Sequence, residues 1–133
     1  MTIEISKPTV PALSKFAERN NVPASAVVRA GEWVYVSGMP PVNPETGGYD
    51  IMTIEQQARR SLDHLKSCLE AAGSGLDRVV KCMVYCSNPS YFATVNTVYA
   101  EYFGAYKPAR TFISPGGWFG PFDIEFDCVA LVK

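Results

Sequence analysis

Asp123-Ile124-Glu125-Phe126-Asp127-Cys128-Val129-Ala130-Leu131-Val132 reads as a strand with two unlike faces. Successive side chains of a strand point to opposite sides of its sheet. Ile124, Phe126, Cys128, Ala130 and Val132 therefore share one face, and Glu125, Asp127, Val129 and Leu131 the other. The first face is wholly apolar and needs covering. The second sets two carboxylates in an otherwise apolar row. Two readings of that pair stand side by side: charges in solvent on a half-wet sheet, or a cleft between subunits where a carboxylate positions water or moves protons.

What covers the apolar face is readable upstream. Thr53 with Gln56 is a capping-box pair, and Ile54, Ala58, Leu62, Leu65, Leu69 and Ala72 recur at helical spacing until Gly73 offers a stop. Val79 to Cys86 alternates like a strand. Asn88-Pro89 opens a second helix striped by Phe92, Val95, Tyr99 and Phe103 and ended by Gly104. Earlier, Ala26 to Ala30 and Trp33 to Ser37 flank Gly31-Glu32 as a hairpin, and Pro40 to Gly48 reads as a surface loop. After Lys107-Pro108 comes a short strand, Arg110 to Ile113. The order ββαβαββ predicts an α+β fold, with two helices on one face of the sheet and the other face open for subunits to associate through.

Composition agrees with a single domain over residues 1–133. Of these, 47% are hydrophobic and 19% charged, enough for a real core and unlike a disordered or disulfide-built chain. A net charge of -1 argues against nucleic acid, whose binding surfaces are usually basic. The segment Met1 to Val22 lacks the uninterrupted apolar run of a secretory signal, and no stretch approaches the roughly 18 apolar residues of a membrane span. The expected address is cytoplasmic.

The other chemistry-bearing side chains sort quickly. Arg110, fixed by Pro108 ahead of Phe112-Ile113, is either a structural or surface charge or a fork that grips a carboxylate through two hydrogen bonds. Were its strand a hairpin with the last strand, Arg110 would lie directly opposite Glu125. His64, the one histidine, falls at the edge of the first helix's stripe, a surface or boundary position; no nucleophile triad is supported. Cys82 and Cys86, four residues apart on a strand, are separated by about 13 Å, too far for a disulfide. With Cys68 and Cys128 they read as buried reduced thiols or as including one reactive thiol, and zinc would want closer pairs or more histidines. Gly47-Gly48 and Gly73-Ser74-Gly75 are turns without phosphate-loop context. Trp118 and Phe119, in the Gly/Pro loop Ser114 to Pro121, either cap a pocket or interface or pack over their own core.

Several segments together resemble the RidA/YjgF family of reactive-intermediate deaminases, the endoribonuclease L-PSP-like proteins. They include Trp33-Val34-Tyr35-Val36-Ser37-Gly38, Asn43-Pro44-Glu45-Thr46-Gly47, Gln57-Ala58-Arg59-Arg60-Ser61-Leu62, Leu69-Glu70-Ala71-Ala72-Gly73, Pro108-Ala109-Arg110 and Ile124-Glu125-Phe126-Asp127-Cys128. The likeness runs in order from about residue 23 to the end. It implies a chorismate-mutase-like α+β fold with a mixed sheet, assembling into a homotrimeric barrel with pockets between subunits. It also implies hydrolysis of 2-imino acids or their enamine tautomers to 2-oxo acids and ammonia, with no metal or cofactor. By position, Arg110 matches the arginine that binds the substrate carboxylate and Glu125 the glutamate that holds the attacking water. Gly38, Asn96 and the backbone at Phe112 match pocket-lining positions.

Departures from the family pattern fall around that pocket. The family's Pro-Tyr-Ser-Gln is Pro23-Ala24-Ser25-Ala26 here, its Ser-Gly-Gln is Ser37-Gly38-Met39, and Phe112 stands where cysteine is common. These changes point to a reshaped pocket. They leave two alternatives to a general imine deaminase: a pathway enzyme for a larger enamine of the 2-aminomuconate type, or a non-catalytic trimer that binds a metabolite or protein.

Overall fold

A computed structural model describes residues 2–133. Its strands are β1 (Ile5–Ser6), β2 (Val27–Ala30), β3 (Trp33–Met39), β4 (Val79–Cys86), β5 (Ala109–Ile113) and β6 (Ile124–Leu131). Its α-helices are α1 (Ser14–Asn20), α2 (Ile54–Ala71) and α3 (Phe92–Phe103). The strands form one sheet in the order β1-β2-β3-β6-β4-β5, in which only the β4–β5 pair is parallel. The fold is therefore the mixed-sheet α+β architecture expected, with an additional strand and a short helix at the N-terminal end. Two residues of β1 and seven of α1 are too few for periodicity to reveal.

Local chemistry fixes the elements. Gly31, at φ 60, opens the two-residue turn that registers Ala30 against Trp33. Thr53 Oγ1 accepts from the Gln56 N–H (3.2 Å), and Gln56 Oε1 accepts from the Thr53 N–H (3.0 Å), which closes the capping box of α2. Gly73, at φ 80, follows the end of α2. The second helix begins one turn later than expected, because Pro89–Tyr91 forms a 3-10 turn capped by Asn88. Ile124, Phe126, Cys128 and Ala130 are buried beneath Leu62, Leu65 and Leu69 of α2 and Val95, Val98 and Tyr99 of α3.

Three expectations need correction. β4 lies between β5 and β6, so Arg110 is not opposite Glu125: Arg110 registers with Cys82, and Glu125 with Tyr85. The reason is α3, a helical crossover that returns the chain parallel to β4 and leaves β6 to slot in antiparallel on the far side. His64 is not at the surface but 3% exposed, and its Nε2 shares a 2.7 Å hydrogen bond with the Val42 carbonyl. Pro40 to Val42 and Gly47-Gly48 are buried too, because this loop folds back over α2. Only residues 43–46 of the segment retain appreciable exposure. Among the described residues, no helix is long and apolar enough to cross a membrane.

Candidate active site

Glu125 stands on the open face of the sheet, half-buried beside β3. β3 carries one residue more than β6 between the pairs Val36–Cys128 and Met39–Phe126, a bulge at Ser37-Gly38. At that bulge the Glu125 carboxylate lies against Gly38 so closely that a Cβ on residue 38 would collide with it. A side chain at 38 would push the Glu125 carboxylate away, so the glycine is what lets it rest there. Burial, and then the neighbouring Asp127, raise the Glu125 pKa above the ordinary carboxylate value. Asp127 is raised by burial and pulled partly back by the Tyr85 hydroxyl. The same environment pushes Tyr85 up to about 12, burial being the largest cause.

A cavity of about 340 Å³ opens beside Glu125, bounded by Phe16, Ala24, Gly38, Met39, Tyr49 and Phe119. Burial, followed by Glu125, raises the Tyr49 pKa, so its phenol stays neutral. Met39 is one of the departures from the family pattern noted above; nothing in the sequence pattern singles out Phe16 and Tyr49. They reach the cavity through α1 and the loop after β3, whose folding over the sheet is a tertiary event. A larger depression of about 500 Å³ between Arg19 and Gln57 has both its acids already engaged. Asp50 accepts from Arg60 Nη1 (2.6 Å) and Asn43 Nδ2 (3.0 Å). Asp123 accepts from Gln57 Nε2 (3.0 Å) and Ser87 Oγ (2.7 Å), a structural tie.

Arg110 lies on the opposite, helix-bearing face. Its guanidinium carbon sits 4.8 Å from the Tyr99 ring centroid, 5.7 Å from that of Phe92 and 5.8 Å from that of Phe112. Among the described residues it forms no ion pair. Asn96 falls between Phe92 and Tyr99 on the same face of α3, and its side-chain oxygen is buried without a hydrogen-bond partner. The sheet therefore carries two candidate half-sites, one on each face. One holds Arg110, Asn96 and Phe112; the other holds Glu125 and Gly38. Cross-strand partners share a face, so the two half-sites look away from each other within one chain.

The four cysteines are buried and unpaired. Burial pushes Cys68 and Cys82 up to about 12 and Cys128 higher still, so they pack as thiols rather than serve as nucleophiles. Trp118 donates its indole N–H to the Phe122 carbonyl, while Phe119 stays 76% exposed at the cavity rim. Among the described residues, no three His, Cys, Asp or Glu side chains gather as a metal site.

Comparison with known proteins bears on what such half-sites do. The sequence profile of endoribonuclease L-PSP matches residues 17–132. The chain belongs to this family. A RutC family protein of Pyrococcus horikoshii is 43% identical over 88 residues, 66% of this chain and 70% of that protein. Reactive Intermediate Deaminase A, chloroplastic, of Arabidopsis thaliana is 32% identical over 108 residues, 81% of this chain and 58% of that protein. The crystal structure of E. coli TdcF with bound serine superposes with a TM-score of 0.79 at 26% identity, covering 100% of this chain and 99% of that one. The L-PSP family fold thus accounts for the whole architecture, including the two helices on one face.

Proposed function

We propose that this L-PSP family member hydrolyses 2-imino acids, or their enamine tautomers, to 2-oxo acids and ammonia, at sites built between subunits of a homotrimer. The observation that carries this reading is Arg110: a cation stacked on three rings and lacking a carboxylate partner among the described residues. A substrate carboxylate would complete it through two parallel hydrogen bonds. The unpartnered Asn96 oxygen, close by on α3, can accept from the iminium N–H, and the Phe112 backbone lines the same side. The serine held by TdcF and the name of the Arabidopsis relative support an amino-acid-like ligand and a deamination.

Glu125 supplies the other half, contributed by a neighbouring subunit. Its carboxylate, lying on Gly38, accepts a hydrogen bond from a water and aims the water's lone pair at C2 of the substrate. The water oxygen bonds to C2 as the C=N π pair moves to nitrogen. Glu125 takes the water's proton and returns it to that nitrogen, making it an ammonium leaving group. Glu125 then draws off the carbinolamine hydroxyl proton as the C–N bond breaks and its electron pair leaves with NH3, and it passes that proton to the freed ammonia, giving R–CO–COO⁻ and NH4⁺ from R–C(=NH2⁺)–COO⁻ and one water. The protonated imine is already electrophilic, so these groups suffice for an acceleration without cofactor. The family's description as an endoribonuclease suits this chain less well, since a net charge of -1 and a carboxylate at the cavity oppose a phosphate backbone.

The test generates a 2-imino acid enzymatically and follows its loss against spontaneous hydrolysis, with Arg110→Ala alongside. Acceleration lost in the variant supports the reading. No acceleration with any imine or enamine would replace it by a metabolite-binding role.

A further inference from the structure

We propose that the cavity beside Glu125 receives a large apolar side chain, so that the substrates are 2-imino acids with aromatic or branched aliphatic side chains. This rests on the imine-hydrolase reading and names its substrate class. At about 340 Å³ the cavity is within the range of small-ligand sites. With roughly 30 Å³ to a water, a methyl or hydroxymethyl group would leave room for most of about ten waters. The walls offer little to hold them. Phe16, Met39, Tyr49 and Phe119 are large and mainly apolar, Ala24 leaves the rim wide, and the Ser37 hydroxyl is already spent on the Ser25 carbonyl at 2.6 Å. Glu125 is the one charged side chain on the wall, so a cationic or polar substrate side chain would compete with water for the group that must aim it.

The aromatic wall is held in place for a ring or branched chain. Tyr49 stacks on Phe122 at 4.8 Å and 20°, and Phe119 meets the same ring edge-on at 5.3 Å and 83°. Trp118 ties their loop to the Phe122 carbonyl. Phe119 is nonetheless 76% exposed, a large apolar surface that gains nothing from its own core. A substrate side chain packed on it removes that surface from water.

An amino-acid oxidase with catalase supplies the imines of phenylalanine, leucine and alanine, and calorimetry compares binding of phenylpyruvate and pyruvate. We expect kcat/KM for the phenylalanine and leucine imines to exceed that for the alanine imine by about tenfold or more. In Ala24→Phe, which fills the cavity from an exposed loop, that ratio should fall at least about tenfold; Phe119→Ala should lower it as well. Equal or better turnover of the alanine imine, or a ratio unmoved by Ala24→Phe, overturns the assignment. If no imine is turned over, the hydrolase reading fails and calorimetry decides the cavity alone. Tighter phenylpyruvate than pyruvate binding, weakened by Ala24→Phe, sustains the side-chain assignment; equal affinities, or no binding of either, ends it.

Discussion

Arg110 and Glu125 carry opposite charges, and their substitutions should fail in different ways. Replacing Arg110 by Lys keeps the charge but loses the planar fork and its stacking on Phe92, Tyr99 and Phe112. We expect kcat/KM to fall about 100-fold or more, with KM raised, and Lys to recover little over Ala in steady-state kinetics. In the proposed reaction Glu125 must be ionised to hold the water, and its pKa lies above the usual value. Activity should therefore drop as pH falls through that raised pKa, and Glu125→Gln should abolish the step rather than move it. The same shift bears on stability with the other sign. A carboxyl that binds protons more tightly folded than unfolded destabilises the fold fully above its folded pKa, and the penalty vanishes below the unfolded one. Glu125→Gln should thus raise Tm near neutral pH, and the difference should disappear toward pH about 4. The sequence alone displayed both side chains and their residue types. It did not display that they face away from each other, because β4's insertion between their strands depends on the path of α3.

At the scale of elements, Gln57 joins α2 to the start of β6. It is 5% exposed, donates to Asp123 Oδ2 at 3.0 Å and accepts from the Asp123 N–H at 2.7 Å. Gln57→Ala leaves a half-buried carboxylate and an N–H short of partners, a cost of about 1–2 kcal/mol in urea unfolding. Because it sets the position from which Glu125 projects two residues later, kcat should fall with stability. The α2 stripe, the strand alternation of β4 and β6, and the glycine turn at Gly31 were all readable, since each is dictated by local periodicity or backbone geometry. His64 was misplaced for a converse reason. Its flank of α2 is polar by pattern, and only the folded-back Val42 segment covers it and gives its ring a carbonyl. Tyr49 escaped notice on the same loop, although it borders the cavity and feels Glu125.

At the scale of the whole molecule, one sheet face is left without a layer. Trp33 and Tyr35 are 45% and 49% exposed there, alongside Val129, Leu131 and Met83 of the neighbouring strands. Such a face, together with half-sites on opposite sides of one sheet, suits a ring of identical subunits in which each site draws on two chains. Light scattering should give three times the chain mass of 14.6 kDa. Val129→Asp, which puts a charge into that face, should shift the protein to monomer and remove activity. The most direct test coexpresses Arg110→Ala and Glu125→Gln chains, each inactive alone. If Arg110 and Glu125 of one site come from different subunits, random mixing leaves about one site in four with both groups intact, and about a quarter of full imine-hydrolase activity should return. A mixed trimer as inactive as either parent would contradict a shared site, and so would full activity in either variant on its own.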